Sequence, residues 1–339
     1  MQTTQNPVPD HGTSAPRGGK RTFRAFLRGD MALSPQAARL LLAVYALLLL
    51  SRLIDSAFLS RSGAYLSTVL LQLLIFPIPA YLYIIIRGKG LSGRLRLRPF
   101  PLSDTVLVLS AILVLIGGCT LLAMLCGMMR AQSSFTLYDT FSSVHDGSAG
   151  SAIRLILTYA LIPAFCEELV FRSILCAEYE TPGILFASVV SALFFAFLHF
   201  DLTALPVYLF AGLLLSVVLY ITRSAVAPML VHLGYNLFGV FAQAGISGYC
   251  RSTGNVGLLV VILIALVLIS SGLFCAETAR ILKRRGTSPL PETADQTVPG
   301  LCAVTVPEFF RLLGRVFLCP EAIAAVILWV VGVVLNLTR

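Results

Sequence analysis

Apolar side chains fall into nine runs along the chain, separated by polar stretches. The runs cover residues 40–60, 63–86, 105–129, 152–178, 183–201, 203–222, 225–246, 255–276 and 317–337. A helix that crosses bilayer hydrocarbon needs ~20 apolar residues. Each run therefore predicts a membrane helix or nearly one, with Arg52 and Asp55 interrupting the first. The predicted fold is all-α: a polytopic transmembrane helical bundle of about eight core helices plus one extra C-terminal span.

The polar stretches divide the chain. Residues 1–39 form a polar tail, rich in Pro, Gly, Ser and Thr over 1–30, and read as disordered. No cleavable signal peptide is visible in it. Residues 40–150 hold the N-terminal membrane helices and an outer loop, and 151–250 hold the conspicuous polar side chains. A further membrane helix follows over 251–285, then a linker over 286–316 and the last span over 317–339. Within the linker, 309–316 reads as an interfacial segment. Local signals fit helices in 152–246: Thr181 can cap a helix opening at Pro182, and Ser224 can cap a later one. Pro163 predicts a kink in its span.

Composition agrees with the pattern. The 339 residues are 57% hydrophobic and 12% charged, with mean hydropathy +0.88; soluble domains carry about 25% charged residues. The net charge of +9 raises nucleic acid as a partner, but its distribution excludes that reading. Basic residues gather at Lys20, Arg21, Arg24 and Arg28, at Arg87, Lys89, Arg94, Arg96 and Arg98, and at Lys283, Arg284 and Arg285. Nine spans place all three clusters on one side, cytoplasmic by the positive-inside rule. The N-terminus is then inside and Arg339 outside, in a multi-pass protein expected in the plasma membrane. Membrane lipid, anionic at these clusters, is the expected partner. The eight cysteines show no CxxC pair and read as small buried hydrophobes.

Against this apolar background, Glu167, Glu168 and Arg172 stand out, because an ionised group at the bilayer centre costs at least ~3 kcal/mol. Two of the four histidines, His199 and His232, also lie in apolar runs; His11 and His145 do not. His232 and Asn236 are four apart and share a helix face, as do Phe195 and His199. Counted at 1.5 Å per residue from the cytoplasmic ends, Glu167 lies ~16 Å deep, His232 ~10 Å, Asn236 ~16 Å and His199 ~24 Å. Tilt and a kink can bring the four into one cavity. Glu168 precedes Arg172 by four, the favourable ion-pair order on a helix. Glu167 points ~100° away and is the free carboxylate. In apolar surroundings it is a stronger base than in water, suited to take a proton from water. An imidazole can share that task, and a second imidazole with an amide can hold an oxyanion. The set suits peptide-bond hydrolysis.

The segments Glu167-Glu168-Leu-Val-Phe-Arg172, Phe195-Ala-Phe-Leu-His199 and His232-Leu-Gly-Tyr-Asn236 read EExxxR, FxxxH and HxxxN. Over 155–245 the chain resembles the family of type II CAAX prenyl proteases and bacteriocin-processing or immunity proteins, the CPBP or ABI family. The resemblance implies an intramembrane endopeptidase in which Glu167 and His199 activate water while His232 and Asn236 hold the oxyanion. Glu168, Arg172 and Phe195 would support the site. It implies a membrane-anchored or prenylated protein or peptide as substrate. No cofactor is favoured, but Glu167, His199 and His232 can ligate Zn²⁺ with a water position left open. No His-Glu-x-x-His occurs.

Other classes stay open. Intramembrane Glu and His also build proton relays, so a proton-coupled transporter is an alternative, although no inverted repeat is visible. A catalytically silent scaffold or immunity protein is another. Gly245-Ile-Ser247-Gly248 is similar to the GxSG of rhomboid serine proteases, but no histidine follows it, and it reads as a helix end.

Overall fold

Apolar length and helix coincide along the chain. The computed structural model describes residues 35–51, 64–127, 149–254, 256–286 and 304–337. Most of the polar tail, Arg52, Asp55, His11, His145, most of the outer loop and 287–303 of the linker lie outside the described residues. The helices are α1 (Pro35–Ser51), α2 (Ala64–Ile75), α3 (Pro77–Arg87), α4 (Thr105–Leu125) and α5 (149–179). There follow α6 (Ile184–Leu198), α7 (Leu205–Thr222), α8 (Val226–Phe241), α9 (Gln243–Thr253), α10 (Val256–Gly286), α11 (Val306–Phe317) and α12 (Pro320–Leu337). No strand occurs among the described residues.

Five stretches are long and apolar enough to cross a membrane: Tyr65–Arg87, Leu102–Leu125, Leu205–Thr222, Val256–Gly286 and Pro320–Leu337. Ala37–Ser51, Ile184–Leu198 and Val226–Phe241 are shorter apolar helices. The remaining run is α5, whose α-helical path is interrupted twice by π turns. Side chains such as Ile86, Leu268 and Ile269 point outward from the bundle. Outward apolar faces on helices of this length belong in lipid, so the chain is an integral multi-pass membrane protein.

Small residues set the packing. α4 runs through the bundle and touches α7, α8 and α10. A Cβ at Gly117 would meet Val267 at 2.7 Å, and one at Gly234 would meet Ile112 at 2.8 Å. Lipid tails are as apolar as leucine, so close approach at small residues drives such contacts. At the periphery Arg39 pairs with Glu321 at 2.9 Å and ties α1 to α12. At one end of the bundle the segment after α3 grips the end of α5. Arg87 pairs with Glu178 at 2.9 Å, Arg96 pairs with Glu180 at 2.8 Å, and Arg94 donates to the Ala177 carbonyl.

Several local expectations need correction. The first helix starts at Pro35, inside the stretch read as tail. Thr181 caps nothing: α6 opens at Ile184 after Gly183, whose φ of 126° turns the chain without a side-chain cap. The Gly245–Gly248 segment is helix interior in α9, not a helix end. The last span begins at Pro320; Phe317 closes the separate helix α11, which Thr305 and Glu308 start with a reciprocal capping box. Cys119, Cys166 and Cys176 are buried as read, but Cys275 is exposed because α10 turns most of its surface outward. Ser224 does act at the start of α8, where its Oγ accepts from the Val226 N–H at 3.2 Å.

Candidate active site

The glutamates sit on a helix broken to either side of them. Within α5, Ile156–Leu161 is a π segment, Ile162–Glu168 is α-helical, and Leu169–Leu175 is π again. Pro163 accounts for the first break: it has no N–H to give and its ring displaces the preceding turn. Such turns release carbonyls, which inside a membrane need partners from neighbouring helices. Asn236 Nδ2 donates to the Ala160 carbonyl at 3.3 Å, and Ser191 Oγ donates to the Phe171 carbonyl at 2.8 Å. π turns recur at functional sites because they re-aim side chains within a helix.

Glu168 and Arg172 are fully buried and form an ion pair at 3.0 Å between Oε1 and Nη1. The same Oε1 accepts from His232 Nδ1 at 2.9 Å, a bond that the sequence did not suggest. Arg172 makes two further contacts, while its Nε is buried without a hydrogen-bond partner among the described residues. Its Nη2 donates to the Gly212 carbonyl at 3.3 Å, and its guanidinium lies 4.2 Å from the Phe195 ring centroid. Gly212 makes this possible, since a Cβ there would lie 2.8 Å from Ala192 Cα. The close crossing of α6 and α7 thus brings a backbone carbonyl to the cation.

Phe195 is the hub of the aromatic contacts. Its ring meets Phe171 at 5.4 Å, His199 at 5.1 Å and His232 at 5.9 Å, each edge to face. His199 closes α6, with Nδ1 at 3.0 Å from the Phe195 carbonyl oxygen. Its ring stacks on Tyr208 of α7 at 3.6 Å, with 14° between the planes. Glu167 lies in electrostatic reach of His232, Glu168 and Arg172, and also of Tyr208. Its Oε2 is buried and accepts no hydrogen bond from the described residues. Phe195 thus touches Arg172, His199 and His232, Glu168 binds Arg172 and His232, and Asn236, one turn from His232 on α8, bonds the Ala160 carbonyl.

Sequence reasoning missed Tyr208 and Gly212. Each belongs to an otherwise apolar span without a polar spacing pattern, so no local signal marked it. For a metal, Glu167, His199 and His232 are the donors to consider. Among the described residues no three His, Cys, Asp or Glu side chains group closely enough to hold an ion. His232 Nδ1 is also committed to Glu168.

An apolar cleft of 430 Å³ opens between α3 and α5, lined by Pro77, Ile78, Tyr81, Leu82, Ile84 and Leu169. Leu169 follows Glu168 directly, so the cleft reaches the flank of the charged helix.

Residues 149–238 match the model of the Rce1-like family, described as type II CAAX prenyl endopeptidase Rce1-like. The matched segment runs from the start of α5 into the last turn of α8 and contains all seven residues singled out in the sequence. No curated protein and no solved structure matches the chain. Through residues 149–238, then, this multi-pass membrane protein is similar to the Rce1-like family of type II CAAX prenyl endopeptidases.

Proposed function

We propose that the chain hydrolyses a peptide bond in a membrane-anchored protein or peptide, with Glu167 as the general base. The observation that carries this reading is the contrast between the two carboxylates. Glu168 is paired through Oε1 with both Arg172 and His232, whereas Glu167 has a buried Oε2 and no ion pair among the described residues. Glu167 takes a proton from water, the hydroxide adds to the scissile carbonyl carbon, and the proton passes to the leaving amine as the C–N bond breaks. His199, fixed by the Tyr208 stack, orients the water.

The oxyanion falls to His232 and Asn236. The bond from Nδ1–H to Glu168 leaves Nε2 as the working atom of His232. Donation from Nε2 requires the imidazolium form, which Glu168 holds through Nδ1. Nε2–H then donates to the oxyanion. Asn236 contributes the amide hydrogen that is not directed at Ala160. The apolar cleft beside Leu169 admits a hydrophobic chain, which suits a lipid-anchored substrate of the prenylated class. No step in this scheme passes through a metal.

The test is a comparison of membrane proteomes from cells carrying the native protein or Glu167→Gln. The amide matches the carboxylate in shape but cannot accept the proton. A full-length membrane protein should accumulate in the variant, and purified native protein should cleave it. Equal turnover by purified Glu167→Gln would reject Glu167 as the base.

A further inference from the structure

Among the described residues, one end of the bundle carries more basic than acidic side chains. Arg87 and Arg96 are answered by Glu178 and Glu180, and Arg280 by Glu277. A few residues away the balance fails. Arg98 Nε donates to the Arg223 carbonyl at 3.0 Å, which brings the segment after α3 to the turn between α7 and α8. Arg285, at the end of α10, donates to the carbonyls of Ile221 and Thr222. Arg284 pairs with Asp104 at 2.7 Å, while Arg285 is 3.7 Å from that carboxylate. Arg98, Arg223 and Arg284 all lie near enough for their charges to oppose that of Arg285. Arg284 and Arg285 thus share the buried carboxylate of Asp104, with Arg98 and Arg223 from two other segments close to Arg285.

Self-repulsion of this kind destabilises a compact state unless an anion answers it. The position identifies the anion. Helix α10 has 31 residues, a length of ~46 Å against ~30 Å of hydrocarbon. Its charged residues begin at Glu277, while Leu268, Ile269 and Leu273 are exposed apolar surface before it. The arginines therefore stand just past the apolar band, at the depth of lipid headgroups. Each guanidinium has five N–H donors in a fork that fits phosphate, and Arg98 gives only its Nε–H to a carbonyl among the described residues.

We infer that Arg98, Arg223, Arg284 and Arg285 form a binding site for the phosphate of an anionic phospholipid in the surrounding bilayer. The same turn carries Ser224, whose Oγ accepts from the Val226 N–H at the start of α8, the helix of His232 and Asn236. Headgroup binding braces the base of that helix. The inference is independent of the chemistry proposed for Glu167, because it is read by binding alone.

The test uses the full chain in neutral detergent. Native mass spectrometry and thermal unfolding are followed with added phosphatidylglycerol, with phosphatidylcholine, or with inorganic phosphate. Phosphatidylglycerol should stay bound and raise the unfolding midpoint; phosphatidylcholine and inorganic phosphate should not. The variant Arg98→Gln/Arg223→Gln should lose about tenfold or more in affinity for phosphatidylglycerol. The control Lys89→Gln/Lys283→Gln removes the same charge outside the cluster and should lose less than about twofold. Equal losses in the two variants would mean diffuse attraction and overturn the site. Stabilisation by inorganic phosphate equal to that by the lipid would reassign it to a soluble anion. If the arginine variant does not fold, the native chain still decides: no preference for phosphatidylglycerol over phosphatidylcholine sinks the proposal.

Discussion

Replacing Glu168 by Gln tests the charge arrangement most directly. Glu168 and Arg172 have no solvent exposure and are 3.0 Å apart. Glutamine leaves one oxygen where the carboxylate had two, and places an NH₂ against either Arg172 or His232. If the oxygen stays on His232 Nδ1, the amide hydrogens face the guanidinium. Arg172 is then a buried cation with only the Gly212 carbonyl and the Phe195 ring to hold it. Breaking a buried pair by removing one partner costs about 3–5 kcal/mol. At 2–4 °C per kcal/mol, the unfolding midpoint should fall by roughly 6–20 °C. The assay is thermal unfolding of purified protein in detergent, with Glu167→Gln as the matched control. Glu167 has no partner to abandon, so its variant should melt within about 2 °C of the native protein. A double change, Glu168→Leu with Arg172→Met, removes both charges and should recover part of the loss, since apolar replacement of a whole buried pair is often tolerated. If Glu168→Gln melts with the native protein, the pair does not hold the bundle and the division of labour between the glutamates is wrong.

Gly212→Ala should lower stability by about 1–3 kcal/mol, seen as a lower unfolding midpoint, because its Cβ would press on the Ala192 backbone and withdraw the carbonyl from Arg172. An unchanged midpoint would show that α6 and α7 do not cross as closely as described. Single cysteines at Ser92 and Thr253, in a background with the native cysteines replaced, should label from opposite sides of the membrane. Labelling from one side would reject the nine-span topology. Chelator treatment should leave turnover intact; stoichiometric zinc whose removal abolishes activity and whose return restores it would replace the metal-free scheme.

Much of the bundle was legible because membrane helices announce themselves by apolar length. The Glu168–Arg172 contact was legible too, since i,i+4 spacing places both groups on one helix face. What escaped the sequence is non-local. Glu168 and His232 are 64 positions apart, and no spacing rule links them. Tyr208 meets His199 only because the turn at Phe200, with φ of 52°, and Asp201 reverses the chain. Asp201 Oδ1 accepts from the Thr203 and Ala204 N–H groups at 2.9 and 3.0 Å and starts α7 there. Pro163 signalled a break, but the second π segment contains no proline or glycine to reveal it. The false cap at Thr181 failed for a simpler reason, because Gly183 offered the chain a conformation that Thr181 cannot match.

The two π segments of α5 also have a mechanical consequence. Each widens the helical winding, so the seven residues between them are indexed separately from the helix on either side. The far end of α5 is fastened by Arg87, Arg94 and Arg96, and its start follows other neighbours. The short stretch Ile162–Glu168 therefore takes its aim from the two flanking π segments rather than from one continuous α-helix. Deleting one residue from Leu169–Leu175 would convert that segment toward a plain α-turn and swing the carboxylates by ~100° against the fastened end. Such a chain would keep every side chain of the site and lose only their aim.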